Sequence, residues 1–581
     1  MPAIKLTAFR GEQPRIIPRL LDDSAAQSAY NVRLDDGGLT PMNSSVQMAE
    51  LSAVNPVTIF KHQDTWLTWN KLVYAVRGAV ATERLYYTGD GAPKMRVNGQ
   101  TYPLAVPRPT TAPVSALSGS GSGDTQTRLY TYTFVTDLGE ESEPAPASNA
   151  LDIKPGQTVT LSGIQAAPAG RLITKQRFYR SQTGSSGTFF YFLAERAASN
   201  ANFVDTTAVD AFGEAMPSAA WNAPPDTLGG LISMPNGMMA AFSGQSLYFC
   251  EPYRPHAWPE KYVLKTDSPI VGLGALGTTL IVMTKGQPYI AQGTTPDTMQ
   301  MVKIEANYPC INPRGIVDLG FAIAYPSNEG LIRVTGDGVA RLVTGKILSK
   351  EDWLDLGPST IIGAQLGGLY MAFYDVVDAK GVTRSGSIFF DVSDSPQMLR
   401  ADTMAKATYF ELETSSLYYM APNDKSVYRF DSPDGARMEY YWRSKVFYMP
   451  YPMSYAAIQV DTDRIVSPRA EENYRKSVAG IKARNAEKIA AKASKGPINA
   501  APLNAFIFNG DELERIPSPD GTIMVGVYAD GVQVAQIRST NSPARLPAKN
   551  AGTKWEIDVR SNIPVTQVVM ATSIAELRKY L

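Results

Sequence analysis

The sequence predicts a mainly β chain of several domains, and three observations lead there. The first is a repeat. Between Asn236 and Tyr289 a short apolar strand, a tight polar turn and a second strand occur twice in succession, as Met-Met-Ala-Ala-Phe, Ser-Gly-Gln, Ser-Leu-Tyr-Phe and then Leu-Ile-Val-Met, Thr-Lys-Gly-Gln, Pro-Tyr-Ile-Ala. The first strand of this unit restarts near Met238, Leu280, Ala322, Leu369 and Leu417, at spacings of 42, 42, 47 and 48 residues. A four-stranded propeller blade takes roughly 40–50 residues, so the period predicts a six-bladed-type β-propeller once a first blade upstream is counted. The second observation is composition: 41 prolines, 46 glycines and 29 tyrosines punctuate many short apolar runs, the signature of strands and turns. The third is length. At 581 residues the chain exceeds one hydrophobic core, and roughly three to four domains are expected.

Taken in order, residues 1–55 read as an irregular N-terminal arm. Asp22 and Asp23 there predict a capped short helix over Ser24–Asn31, and Asp35 to Gly38 a turn. Two roles fit the arm equally: packing along its own domain, or clasping a neighbouring subunit. Residues 56–107 predict the first blade, with strands at Val57–Phe60, Thr65–Trp69, Leu72–Val76 and Arg84–Thr88 and a closing turn at Asp90-Gly91. The Ser-Gly run Ser118–Gly123 predicts a flexible boundary. Residues 117–225 then predict an inserted β-sandwich of immunoglobulin or fibronectin type, with Tyr130, Tyr132 and Phe134 on one strand face and Glu140 to Pro144 as a polar loop. Residues 227–435 carry the remaining five blades, with a helical turn over Lys350–Leu356 between two of them.

Residues 438–581 predict a C-terminal β domain, with strands near Thr522–Tyr528, Val532–Ile537, Trp555–Val559 and Val565–Met570. Asp530-Gly531 is a hairpin turn, and Ser573 with Glu576 forms a capping box for a last short helix. One basic helix is inserted at 468–495. Tyr474, Val478, Ile481 and Ile489 make a narrow apolar stripe, while Arg475, Lys476, Lys482, Arg484, Lys488, Lys492 and Lys495 cover the rest. The stripe predicts a helix docked on its own chain. The basic surface is the feature that would reach toward a partner or DNA.

The chemistry is sparse. Acidic and basic residues balance at 55 each, so bulk charge points to neither nucleic acid nor an anionic membrane. No apolar run approaches the roughly 18 residues a membrane span needs, and Met1–Arg10 lacks a signal-peptide core. Two cysteines, Cys250 and Cys310, are too few for a disulfide scaffold and read as buried thiols. The two histidines, His62 and His256, restrict imidazole catalysis, and His256 lies in a stiff Arg-Pro-His-Ala-Trp-Pro connector where packing is its expected role. Gly272-Leu-Gly-Ala-Leu-Gly277 matches a dinucleotide fingerprint as letters. The residues after it are Thr-Thr-Leu-Ile-Val-Met, a strand rather than the helix whose N-terminus would hold a pyrophosphate, so the glycines are expected to serve an inter-blade turn. No catalytic residue, cofactor-binding residue or metal ligand is nominated, and no enzymatic activity is expected. A pair of converging carboxylates, as in a propeller carbohydrate hydrolase, needs no sequence motif and stays open as an alternative.

Several segments together resemble one family. Ser246-Leu-Tyr-Phe249 with Glu251-Pro-Tyr-Arg-Pro-His-Ala-Trp-Pro259 is similar to a run common in bacteriophage tail proteins. So are Arg443-Ser-Lys445, Asp530-Gly-Val532, Arg545-Leu-Pro547, Trp555-Glu-Ile557 and Ala571-Thr-Ser-Ile-Ala-Glu-Leu577, and at the other end Phe9-Arg-Gly-Glu12 and Ala29-Tyr-Asn-Val32. By architecture over most of the chain, and by these short motifs, the sequence resembles the tail nozzle proteins of short-tailed phages, also called tail tubular protein B. The resemblance implies a structural virion protein, assembled in the host cytoplasm into a hexameric ring in the tail. Its implied partners are further copies of itself, the head–tail adaptor, tail fibres or other appendages, and phage DNA in transit through the lumen. A receptor-binding or fibre-anchoring tail protein is the alternative, suggested by the inserted sandwich.

Overall fold

The computed structural model describes residues 3–580 except 35, 79, 82, 185–186, 209–210, 212, 378–380, 463–467, 494–513, 515–520 and 548–549. Strand takes 46% of the chain and helix 8%, which makes the fold mainly β. The chain forms two compact units. Unit 1 holds Met1–Asn55, Glu329–Leu331 and Leu342–Leu581; unit 2 holds Pro56–Asn328 and Ile332–Arg341.

Unit 2 is built on four-stranded antiparallel meanders. The first comprises Tyr74–Arg77, Leu85–Thr88, Lys94–Val97 and Gln100–Pro103. This corrects the predicted first blade. Thr58–His62 and Thr65–Trp69 pair only with each other, and Asp90-Gly91 lies between the second and third strands of the sheet rather than after it. The other half of the sheet has its own signals in the sequence. Met95 and Val97 are buried and alternate with Lys94 and Arg96. Asn98-Gly99, with φ of 50° and 76°, is the left-handed pair that a two-residue hairpin needs.

The second meander runs Gly229–Ser233, Met239–Ser243, Ser246–Phe249, Leu264–Lys265, and the third Ile270–Leu276, Thr279–Thr284, Tyr289–Gln292, Gln300–Lys303. A fourth comes next in chain order: Val317–Asp318, Ala322–Ser327, Gly330–Thr335, Ala340–Leu342. The expected restarts of the repeat fall within a residue of the second strand of each.

The Gly272–Gly277 run is not the expected inter-blade turn: it is itself mostly strand, and two of its glycines do not serve a turn. Only Gly277, φ 60°, lies in one. Gly272 and Gly274 sit inside Ile270–Leu276, and a Cβ on Gly274 would stand 2.6 Å from Ile323 Cγ1 on the next meander. Their absent side chains let adjacent sheets approach. Gly274→Ala is therefore expected to lower the stability of unit 2 by about 1–3 kcal/mol through overpacking, read as a lower denaturant midpoint. An unchanged midpoint would mean that the sheets re-space freely.

The insertion in unit 2 is a two-layer sandwich. Val114–Ser118, Thr158–Ser162 and Phe203–Asp205 form one sheet; Tyr130–Thr136, Ile173–Gly184 and Gly187–Ala197 form the other; Gln126–Arg128 pairs with Leu151–Ile153 beside them. Tyr130, Tyr132, Phe134, Val159, Leu161 and Phe178 fill the core between the layers, and Phe178 stacks on Phe203 at 4.1 Å. The sandwich begins at Val114, ahead of the predicted 117, and Ser118–Gly123 is a loop within it rather than a boundary. That loop packs on the Lys154–Gln157 turn, where a Cβ at Gly121 would lie 2.8 Å from Gln157 Cγ.

Unit 1 departs furthest from expectation. Residues 1–55 are not an irregular arm, and 24–31 is not a helix. Ile4–Leu6 pairs with Gln567–Ala571, and Val46–Glu50 is the fourth strand of the sheet formed by Ala407–Glu411, Ser416–Met420 and Ser426–Arg429. Ala26–Tyr30 lies inside a ten-stranded sheet. On one side it meets Met398–Ala401, the last strand of a meander with Ile362–Leu366, Leu369–Val377 and Thr383–Phe390. On the other it pairs with Tyr440–Ser444, followed by Gly552–Ser561, Ile523–Ala529 and Val532–Ile537. The predicted boundary between 435 and 438 is thus crossed by one continuous sheet. Asp22 makes a local turn instead of a helix cap, accepting from Ser24 N at 3.0 Å. The backbone beyond it finds longer-range partners: Ala26 and Ala29 are buried, and Gln27 donates to Ser444 O at 2.6 Å and Glu556 at 2.9 Å.

The helix Pro468–Ala493 and the helical turn Lys350–Asp355 lie where expected. Along the apolar stripe of the longer helix, Val478 and Ile481 are half-buried and Ile489 is 54% exposed. Arg484 and Lys488 hold Glu514, at 2.7 and 3.5 Å. Tyr474, Lys492 and Lys495 lie outside the described side chains. At the C-terminus, Ser573 accepts from Glu576 N at 3.1 Å, but the Glu576 carboxylate is taken by the Thr572 hydroxyl, so only half of the capping box forms.

Candidate functional site

Two adjacent carboxylates in the sandwich mark a cluster of buried charge in unit 2. Glu140-Glu141-Ser142, expected to be a solvated loop, is buried throughout. The chain turns tightly after Thr136 and runs back along Tyr130–Thr136, with Glu140 O accepting from Thr136 N at 3.0 Å and Ser142 N donating to Phe134 O at 2.9 Å. That return path points both acidic side chains inward.

The Glu141 carboxylate is fully engaged. Oε1 accepts from Thr133 Oγ1 at 2.8 Å, Tyr179 OH at 2.5 Å and Ser218 Oγ at 3.0 Å, and Oε2 accepts from Arg177 Nη1 at 2.9 Å. Burial, with the Glu141 charge beside it, pushes the Tyr179 hydroxyl well above its ordinary range. Glu140 pairs with Arg171 at 2.7 Å, both nearly inaccessible. Arg171 also donates to Leu104 O at 3.1 Å and Ala105 O at 3.3 Å, tying the sandwich to the exit of the first meander. A second buried carboxylate, Asp205, takes Tyr130 OH at 2.9 Å, Arg180 Nη1 at 3.0 Å and Thr207 N at 2.9 Å.

His256 joins this cluster from the connector between the third and fourth strands of the second meander. Its Nε2 lies 3.0 Å from Glu141 O, a carbonyl that can only accept, so Nε2 carries the proton and Nδ1 keeps its lone pair. Trp221 packs edge-on at 5.8 Å, and Arg254 lies over the Trp221 ring. Burial pushes the imidazole pKa down to about 4, Arg171 and Arg254 adding to the effect and Glu140 opposing it. Above pH 6.5 the imidazole is neutral in both folded and unfolded chains. As pH falls from 6.5 to about 4, the unfolded chain takes up a proton that the folded one refuses, so the contribution is full above that window and lost within it. The loss is expected to reach about 3 kcal/mol. Denaturant unfolding of wild type and His256→Gln on either side of the window checks it: the difference between the two should shrink toward acid. A constant difference would contradict it.

This geometry ties together segments that are distant along the chain. Glu141 accepts from four donors, and Glu140 is bound to a guanidinium. Among the described residues no three His, Cys, Asp or Glu side chains group as metal ligands. Cys250 and Cys310 are buried free thiols, each pushed up to about 12 by burial and protonated at neutral pH. The cluster has one mark in the sequence that strand periodicity does not register. Arg177 and Tyr179 alternate on one face of a strand shortly after Arg171, and the three meet Glu141 and Glu140.

No known protein family and no curated protein matches the chain. Solved structures match it weakly. The N-terminal domain of Nup159 has a TM-score of 0.23 and 8% identity, over 41% of this chain and 66% of that one. BamB from Moraxella catarrhalis has 0.21 and 12%, over 43% and 95%. The AfRom2 CNH domain has 0.23 and 8%, over 67% and 98%. Likeness at this level carries no inference about what the chain does.

Proposed function

We propose that the chain is a structural subunit of a phage tail, a nozzle-type protein that assembles into a ring around the path of the ejected DNA. The observation that carries the reading is the repeat itself. Among the described residues six antiparallel four-stranded meanders succeed one another in chain order, and Val46–Glu50, from the start of the chain, completes the last of them. That closing device suits a six-bladed propeller, in which a strand from one chain end locks the last blade and leaves only short sheet edges. In this reading the propeller is a rigid wall, the sandwich is an immunoglobulin- or fibronectin-like appendage on it, and the basic helix faces a partner or the lumen. Equal numbers of acidic and basic residues suit a wall that lets DNA pass, because phosphate neutralisation supplies most nonspecific affinity. The engaged carboxylates suit a protein without turnover. Head–tail adaptor, tail fibres and further copies of the chain are the proposed partners, and the virion tail its place. No helix among the described residues is long and apolar enough to cross a membrane.

One observation favours the receptor-binding or fibre-anchoring alternative. The outward face of the three-stranded sandwich sheet, with Val114, Ala116, Thr160 and Val204 in adjacent positions, carries no charge, and Val114 and Val204 are about half exposed. Mass by light scattering and negative-stain images, with and without the adaptor, separate the two. Rings are expected. A stable monomer or trimer that binds glycans would overturn the nozzle reading, and polysaccharide turnover abolished by one acidic substitution would point to a hydrolase.

A further inference from the structure

Five side-chain atoms of unit 2 are shut off from solvent and complete no hydrogen bond with the protein in good geometry: Arg84 Nε, Tyr86 OH, Glu140 Oε1, Arg171 Nη1 and His256 Nδ1. They gather at one joint. Glu140 and Arg171 are paired, the Tyr86 hydroxyl approaches Arg84 and feels the charges of that pair, and so does His256, whose Nε2 lies 3.0 Å from Glu141 O. The five come from four stretches: the first meander, which supplies Arg84 and Tyr86, the turn after Thr136, the segment before Ile173–Gly184, and the connector between the third and fourth strands of the second meander. Buried polar groups are almost always satisfied, and leaving five unsatisfied would cost an amount comparable to the whole stability of a domain.

The chemistry of the five selects their partner. Arg84 and Arg171 can only donate. Glu140 Oε1 can only accept, and so can His256 Nδ1, because the proton is committed to Nε2. Tyr86 does either. A bound anion would face the carboxylate oxygen and the imidazole lone pair; a bound cation would face two guanidinium groups. A small neutral molecule that both donates and accepts satisfies all of them. We propose that the joint is a binding site for buried water, and that water bridges tie the sandwich to the first meander and to the His256 connector. Arg171, through its bonds to Glu140, Leu104 and Ala105, is the direct pin of the joint, and the water completes the hydrogen bonds this pin leaves open.

The test is a map of the full chain at a resolution that shows ordered water, for wild type and for Tyr86→Phe. Wild type is expected to show discrete single-atom density bonded to at least Glu140 Oε1, Arg171 Nη1 and His256 Nδ1. Tyr86→Phe is expected to lose only the density at the hydroxyl position. Side chains bonded directly to one another with no density between them would overturn the proposal. So would density of polyatomic anion shape, or a Tyr86→Phe map identical to wild type at the hydroxyl position. Should Tyr86→Phe fail to fold, the wild-type map decides alone.

Discussion

A chain lacking residues 1–50 is expected to lose unit 1 as a folded body while unit 2 stays intact. None of these residues belongs to unit 2. In unit 1 they supply Ile4–Leu6, Ala26–Tyr30 and Val46–Glu50, one strand in each of three sheets. The middle strand is the costliest to remove, because it lies between Met398–Ala401 and Tyr440–Ser444 and its loss uncovers backbone groups on both. Phe9, edge-on to Trp442 at 5.0 Å, would go too, as would Arg10 O, which accepts from Trp442 Nε1 at 3.0 Å. Glu12, a buried carboxylate paired with Arg400 at 2.9 Å, would leave that guanidinium without its charge partner. The summed loss exceeds the roughly 5–15 kcal/mol that holds a domain folded. Limited proteolysis should therefore spare fragments of unit 2 and degrade 342–581, and a peptide of residues 1–50 added in trans should restore protection. Full protection of 342–581 without the peptide would show that the N-terminal strands are dispensable.

Arg171→Ala is the second large effect, expected at about 3–5 kcal/mol because it leaves the Glu140 charge buried without compensation. Arg171→Lys should recover only part, since an ammonium cannot serve Glu140, Leu104 and Ala105 in the fork geometry of the guanidinium. The double substitution Arg171→Leu with Glu140→Leu should be milder than Arg171→Ala alone, because it removes both charges together. With two units in the chain, unfolding is monitored by a probe that reports on unit 2, and its denaturant midpoint is the quantity compared. An Arg171→Ala midpoint equal to wild type would mean that solvent reaches Glu140 and that the joint is not a closed one.

Both predictions concern regions where sequence pattern is least informative. The repeat is legible because its signals are local: alternation inside Leu85–Thr88 or Thr279–Thr284 and a hairpin turn between strands depend on neighbours a few residues away. Asp530-Gly531, with φ of 48° and 83°, is readable for the same reason. Asn98-Gly99 carries the same signal, and a first blade drawn without it is displaced by two strands. The polar loop at Glu140 misleads because acidic residues between strands are usually solvated. Its burial depends on Arg171, Arg177 and Tyr179, roughly thirty to forty residues downstream.

Local pattern along the chain is enough to establish the mainly β character, the spacing of the strands and their turns, the helix at 468–493 and the lack of a recognisable catalytic motif. Folding in three dimensions settles the rest: the first fifty residues supply strands to four sheets, Ala26–Tyr30 joins a meander to the C-terminal strands, and Glu140 and Glu141 face inward. The difference is one of range. A hairpin satisfies its backbone with adjacent chain, so its residues announce it. A strand such as Ala26–Tyr30 offers the same donors and acceptors whichever partner it finds, and its partners here, at Arg400 and at Tyr441–Ser444, lie nearly four hundred residues away or more.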